Sequence, residues 1–499
     1  MADRRALTSV STKVFYGLGS VAFGVKDNGF QTILLLFYNQ VMHVPALLAG
    51  AAVLIALVCD AFIDPVVGQI SDNLRTRWGR RHPLMYASAL PVAISYLLLW
   101  NPPHWSPMAL FFYLLVVAII VRTFITFYEI PSSALAPELS EDYDQRTSFL
   151  SYRVFFAWYG GLFMLELAYI VFLTPDAHHP VGQLNEAGYG RYGITAAIVM
   201  FFAILISAAG THRFIPLFRA PQHARKSIRQ YAREMYASLS NRSFLILMLA
   251  AIPFNLATGL LFALSVYLNT YFWGLSNTQL FILTASIFIA VLLAFLIALP
   301  FSRRWGKRDS AIVMFALGLV ISVIPLGLRL LGLFFANGSP WLLPTLFGFQ
   351  TFTGALMIGS SITMLSMLAD VVEDNELKTG RRSEGLFFAG GSFMQKTASG
   401  AGFFLSTVVL SVVHFPNPAV PGHVDPTVLR NLALVYLPFL VVLYGSAIAV
   451  ISLYSINRED HEENVRRLAA EAALIEAPIG TEEALAHTPA VDAAVRPAT

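Results

Sequence analysis

The chain has 499 residues, 56% of them hydrophobic and only 13% charged, with a mean hydropathy of +0.64. Soluble domains carry about a quarter charged residues, so this composition excludes an ordinary soluble domain and implies a polytopic membrane protein. The net charge of +3 is too small to argue for nucleic acid. The one cysteine, Cys59, excludes an internal disulfide and, placed in an apolar run, reads as a buried thiol.

Apolar segments fall at 14–41, 46–71, 83–101, 108–137, 148–173 and 192–212, then at 243–273, 278–302, 309–335, 341–370, 384–415 and 429–456. A crossing takes roughly 20 apolar residues. The segments therefore predict an all-α membrane protein of twelve transmembrane helices in two six-helix bundles. Arg4, Arg5 and Lys13 precede the first segment, but no small-residue cleavage site follows it, so it reads as a retained helix and not a signal peptide.

Arg75, Arg77, Arg80 and Arg81 follow the second helix, and Arg303, Arg304, Lys307 and Arg308 follow the eighth. Basic loops stay on the cytoplasmic side, which puts both termini inside. The opposite connections at 101–106 and 336–340 carry no Lys or Arg. The long connection at 174–190 meets only Arg191 at its border; its His178-His179 pair reads as external surface.

A polar stretch at 213–242, with Arg213, Arg219, Arg225, Lys226, Arg229 and Arg233, separates the two groups of six helices. Its middle reads as an amphipathic helix on the cytoplasmic surface. The expected division is a bundle at 1–212, the middle loop at 213–242, a bundle at 243–456 and a charged, then Ala-, Glu- and Pro-rich tail at 457–499, a short helix followed by disorder. Arg77-Trp78-Gly79-Arg80-Arg81 after the second helix returns as Arg304-Trp305-Gly306-Lys307-Arg308 after the eighth. Corresponding places in two halves are what a parallel repeat predicts.

The residues with chemistry lie inside the apolar runs. Asp60 and Asp64, just before Pro65, are one helical turn apart, so both acids leave one face and can close on one cation or share one proton. An ionisable residue within a membrane marks a functional site by default. Lys26-Asp27 sits near the centre of the first helix; neighbouring positions do not share a helix face, which predicts different partners for the two. The fourth helix carries Arg122, Thr126, Glu129 and Ser133 as a polar stripe. The fifth adds Arg153 and Glu166, the ninth Arg329, and the eleventh Lys396 in a Gly-rich stretch.

Arg122 and Arg329 read as snorkelling to an interface; the remaining acids and bases imply a central polar cavity. A cation or proton taken up at Asp60 and Asp64 would relieve their repulsion and change the charge that neighbouring helices see. Most of the aromatic residues read as packing. No Walker-type phosphate loop appears, which disfavours ATP-driven transport within this chain, and no His or Cys grouping has metal-site spacing. No enzymatic activity and no cofactor beyond a co-transported proton or sodium ion are expected.

Four stretches resemble the glycoside–pentoside–hexuronide cation symporters, the melibiose-permease-like branch of the major facilitator superfamily. They are Tyr16-Gly17-Leu18-Gly19 leading to Lys26-Asp27, the block from Asp60 to Pro65 with Arg77-Trp78-Gly79, Glu129-Ile130-Pro131, and Ala369-Asp370-Val371-Val372-Glu373-Asp374 running into Lys378-Thr379-Gly380-Arg381-Arg382-Ser383-Glu384-Gly385. The resemblance runs from about residue 12 to 456 and implies the major facilitator fold with alternating access between two bundles. It implies a cation site at Asp60, Asp64 and Thr126, the metal site if sodium is used, with Glu129 also engaged in coupling. Lys26, Asp27, Glu129 and Arg153 resemble the sugar-contacting positions of the first half, and Ser392 and Lys396 those of the eleventh helix.

Three departures qualify the substrate. Ile63 stands where sodium-using sugar members have an Asn, which removes an oxygen ligand and tilts the expectation toward protons. Glu129 replaces a commonly shorter Asp, and Ser133 stands where melibiose-type members have a Trp beneath the sugar ring. The expected function is uptake of a glycoside, oligosaccharide or uronate by a monomer in the plasma membrane, the inner membrane in a bacterium. The alternatives are transport of a lysophospholipid or other amphiphile on the same fold, and a sensor or scaffold that has lost transport.

Overall fold

The computed structural model describes residues 7–140, 142–176, 179–217, 241–379 and 384–454. The middle loop at 218–240, the tail from 455, His178 and residues 380–383 of the acidic and basic motif lie outside the described residues. Among the described residues there are no strands, and nine helices are long and apolar enough to cross a membrane.

One of the nine, Asn277–Leu330, holds 54 residues. At 1.5 Å per residue a straight helix of that length would run about 80 Å, far more than a bilayer is thick. It folds back at Gly306 (φ 77°, ψ 169°), so the eighth and ninth apolar segments are two crossings joined at one glycine. With Glu384–Val412 and the broken first crossing, the twelve expected crossings are present.

The first crossing is not one helix. Val10–Leu18 and Ser20–Asn28 are α-helical, Gly29–Ile33 and Phe37–Val41 are π-helical, and Leu34–Leu36 forms a short α stretch between them. The sequence reading of a single helix at 14–41 is corrected here. Within Ser20–Asn28 a Cβ on Gly24 would overlap the Ala157 carbonyl of the fifth crossing, so the two backbones meet there without side chains between them.

Most other crossings start where a side chain satisfies an orphan backbone N–H. Ser106, Asp142, Asn185 and Asn241 cap Pro107–Leu139, Tyr143–Leu167, Glu186–His212 and Arg242–Tyr267, and Ser276 forms a capping box with Gln279. The outer faces carry exposed apolar side chains such as Phe62, Leu296 and Val442, as expected of a surface solvated by lipid.

The basic repeat has the same geometry in both halves. Gly79 and Gly306 both have positive φ, and Arg77 and Arg304 lie over the rings of Trp78 and Trp305 at 5.7 and 5.9 Å. Arg80 and Arg81 pair with Glu138 at the end of the fourth crossing; Lys307 pairs with Asp370 near the end of the tenth, at 2.6 Å. These pairs stay within their own halves.

At the opposite end the halves are tied to each other. Gln40 donates to the Pro416 carbonyl at 3.1 Å and accepts from the Ala419 N–H at 2.8 Å. Tyr267 donates to Asn39 at 2.9 Å, and Asn277 donates to the Tyr169 carbonyl at 3.5 Å. The second crossing packs along the eleventh, and the first meets the seventh. The structure is therefore closed at the end away from the basic repeat.

Candidate functional site

Ala46–Asn73 carries both acids, and Pro65 within it removes the N–H that the Ala61 carbonyl would receive in a regular helix. One turn of helix places Asp60 and Asp64 side by side, and the fourth crossing supplies the group between them. Thr126 Oγ1 lies 3.1 Å from Asp60 Oδ1 and 2.9 Å from Asp64 Oδ1. A hydroxyl has one proton, so it serves one carboxylate at a time.

Each acid also has its own cation. Arg122 Nη2 donates to Asp60 Oδ2 at 3.0 Å, with both side chains buried. Lys396 Nζ, from the other bundle, lies 2.6 Å from Asp64 Oδ2 and 3.6 Å from Asp60 Oδ2. Arg122 thus does not snorkel: it is 5% exposed and bound to Asp60, with its guanidinium also over the Phe30 ring at 5.7 Å.

Lys26 and Asp27 do contact each other, Nζ to Oδ1 at 3.4 Å, contrary to the expectation of separate partners. Long side chains can bend back along the helix even when their Cβ atoms diverge. Lys26 is buried, with its ammonium 4.3 Å from the Phe23 ring centre, and Gln31 donates to Asp27 Oδ2 at 2.6 Å. Sequence reasoning missed Phe23 and Gln31, whose residue types are ordinary in such a helix.

Arg153 of the fifth crossing holds Glu129 of the fourth in two ways. Its guanidinium nitrogens lie 3.4 Å from the Glu129 carbonyl, and Nη2 lies 3.5 Å from Oε1. Ser133 donates to the Ile130 carbonyl at 2.8 Å and so turns its hydroxyl to the backbone. The side chain of Ser392 lies outside the described residues. Cys59 is half-buried, not fully buried as expected, because its helix position tilts toward the bundle surface.

Exposure divides the cluster. Asp60, Thr126 and Lys26 are nearly sealed, whereas the side chains of Asp64, Lys396, Glu129 and Arg153 retain 21%, 17%, 20% and 16% of their accessible surface. Four charged side chains, two in an ion pair between the bundles, thus remain partly accessible. Among the described residues no group of three or more His, Cys, Asp or Glu side chains gathers as a metal centre would.

The two-bundle fold and this intramembrane charge cluster coincide with the extent of one family model, the MFS/sugar transport protein model, which matches residues 15–458. The chain belongs to that family. Among its relatives are an uncharacterized symporter of Synechocystis sp., 25% identical with 92% of this chain and 96% of that protein covered, and the isoprimeverose transporter of Lactiplantibacillus pentosus, 24% identical with 90% and 89% covered. The sodium-dependent lysophosphatidylcholine symporter 1 of Xenopus tropicalis is 24% identical, with 92% and 90% covered.

Solved structures agree on the fold of the family. The xylose transporter XylE of E. coli has a TM-score of 0.60 at 16% identity, covering 91% of this chain and 98% of that one. A bacterial homologue of the lysosomal transporter Spinster has a TM-score of 0.61 at 12% identity, covering 90% and 97%. The family's members and these neighbours are transporters, and the chain is a multi-pass membrane protein.

Proposed function

We propose that this protein is a secondary transporter that couples an inward proton or sodium gradient to uptake of a glycoside, oligosaccharide or uronate. The observation that carries the reading is the ion pair between Lys396 and Asp64, which joins the two bundles at the coupling acids. A proton or sodium ion arriving at Asp64 competes with Lys396 for the same carboxylate oxygens. Occupancy therefore changes the electrostatic bond between the bundles, which is the differential interaction that alternating access needs.

In this reading Asp60, Asp64 and Thr126 receive the cation, and Glu129 links that site to the substrate. Lys26, Asp27, Glu129, Arg153, Ser392 and Lys396 contact the substrate. Arg122 holds Asp60 charged and in place. The bundles are 1–212 and 243–456, the basic repeat and both termini face the cytoplasm, and the closed end faces outward. The protein then stands in an inward-facing state, as a monomer in the plasma membrane. Protons are favoured over sodium because Ile63 offers no oxygen ligand, while Arg122 and Lys396 already occupy the acids as donors.

A second reading, uptake of a lysophospholipid or other amphiphile, is favoured by Ser133: with its hydroxyl bonded to Ile130 it provides no aromatic platform for a sugar ring. Liposomes holding the purified protein separate the readings. Saturable uptake of a glycoside or uronate driven by an imposed proton or sodium gradient supports the first and names the ion. Uptake of lysolipids alone supports the second, and gradient-independent behaviour toward both classes overturns coupling.

A further inference from the structure

The fifth crossing carries a carboxyl that the coupling scheme leaves unused. Glu166 is 6% exposed, and neither of its carboxylate oxygens has a hydrogen-bond partner among the described residues. It lies at the end of Tyr143–Leu167, immediately before the π-helical stretch Ala168–Phe172. That stretch is the last turn of the crossing, with Leu173 as its C-cap.

Its place in the fold gives the orphan a meaning. Three residues on, the Tyr169 carbonyl accepts the bond from Asn277, one of the ties that close the two bundles at the end away from the basic repeat. The π stretch and the start of Asn277–Leu330 pack together across that seam. Gln183 and Thr270, from segments at the same end of the molecule, are also buried with side-chain polar atoms unpartnered among the described residues. Three buried polar groups without side-chain partners among the described residues thus belong to segments at the end where the bundles close.

Among the described residues Glu166 has no ion-pair partner. Tyr169 is its titratable neighbour, and Tyr189 and Tyr192 of Glu186–His212 stand around Tyr169. The eighth crossing has no titratable side chain between 277 and 302. On the first crossing Lys26 and Asp27 engage each other, and on the fourth Glu129 engages Arg153. Arg191 donates to the Phe172 carbonyl. An ionised carboxylate in this seam would be both dehydrated and unpaired, whereas a protonated one is neutral.

We propose that Glu166 is a second proton-binding site, distinct from the Asp60 and Asp64 pair, which holds its proton while the seam is closed and releases it to external water when the seam opens. The balance is simple: opening frees one proton from the Glu166 carboxyl, and closing takes one up. Proton binding therefore favours closure. Over the range in which the two states differ by one bound proton, each pH unit changes the closed-to-open ratio by up to tenfold. The site does not depend on what solute the central cavity takes.

The test reads conformation and needs no substrate. In a Cys59→Ser background, spin labels at Leu47 and Val420, both exposed and near the closed end, report the separation of the bundles by pulsed electron resonance across a pH series. The parent protein is expected to lose its closed population as pH rises. Glu166→Gln, neutral at every pH, should stay closed and lose that part of the response; Glu166→Asp should keep the response at a shifted midpoint. An unresponsive parent overturns the proposal, as does a Glu166→Gln curve that follows the parent or coincides with that of Glu166→Asp. Should Glu166→Gln fail to fold, the parent and Glu166→Asp decide: a common midpoint overturns the site.

Discussion

Arg122 Nη2 stands 3.0 Å from Asp60 Oδ2 within one bundle, while the neighbouring acid, Asp64, takes its nearest cation, Lys396, from the other. The two carboxylates are one turn apart in sequence, yet Lys396 reaches across the bundles mainly to Asp64, at 2.6 Å against 3.6 Å to Asp60. Asp60 has a resident counter-charge in any state that preserves its bundle. In the proposed cycle Asp64 is the acid whose charge balance changes more with conformation.

The Arg122 bond should therefore be a stability element as much as a functional one. Removing one partner of a buried ion pair typically costs about 3–5 kcal/mol because the other is left charged and unpaired. Arg122→Gln is expected to lower thermal stability by that order, and the double variant Arg122→Gln with Asp60→Asn to recover most of it. Melting curves of the four proteins of this cycle give the coupling directly. Additive losses would mean that Arg122 is held by its other surroundings, such as the Phe30 ring.

Asp64→Asn and Lys396→Ala act on the bond between the bundles. Asp64→Asn is expected to abolish accumulation against a gradient while substrate exchange continues, since the asparagine neither binds a proton nor holds Lys396 by charge. Lys396→Ala should impair coupling and substrate affinity together. Gradient-driven accumulation against counterflow exchange in proteoliposomes separates the two; undiminished accumulation in Asp64→Asn would remove this acid from coupling.

Glu129 and Arg153 predict a different pattern. Arg153 reaches both the backbone carbonyl and the carboxylate of Glu129, a fork that a lysine ammonium cannot reproduce. Arg153→Lys should preserve folding and the coupled ion but weaken substrate binding by about tenfold, the loss of one charge-assisted hydrogen bond. Direct binding by calorimetry is the measurement, and an unchanged dissociation constant would make the pair structural.

The sequence exposed some of this and hid the rest for physical reasons. Asp60 and Asp64 were legible as a pair from helical spacing and Thr126 as part of a polar stripe, but that the three stand together followed only from the family resemblance. The pairing of Arg122 was not, since whether a long side chain snorkels or turns inward depends on the rotation of its helix against its neighbours, which no local pattern encodes. The apolar run at 14–41 gives no sign of its π-helical stretches, the first of which opens at Gly29, where a Cβ would overlap the Tyr96 hydroxyl. Lys26 and Asp27 show the limit of face arguments: Cβ direction separated them, and the flexible lysine stem brought them together.

Gly306 offers a prediction that isolates backbone from packing. Its φ of 77° with ψ of 169° lies in a region that is essentially open only to glycine, at a cost of about 1–3 kcal/mol for other residues. A Cβ added there would meet nothing within 4 Å, whereas one at Gly79 would press on Ile215 at 3.2 Å. Gly306→Ala should thus lower the melting temperature through strain alone, and Gly306→Asn should not rescue it, because asparagine tolerates the ordinary left-handed helical region but not this one. If Gly306→Asn melted with the parent while Gly306→Ala did not, the turn would have relaxed toward left-handed helical geometry. Lys307 begins one residue beyond this turn and reaches Asp370 at 2.6 Å, so such relaxation would also weaken that pair, and Lys307→Ala would then cost less stability in Gly306→Asn than in the parent.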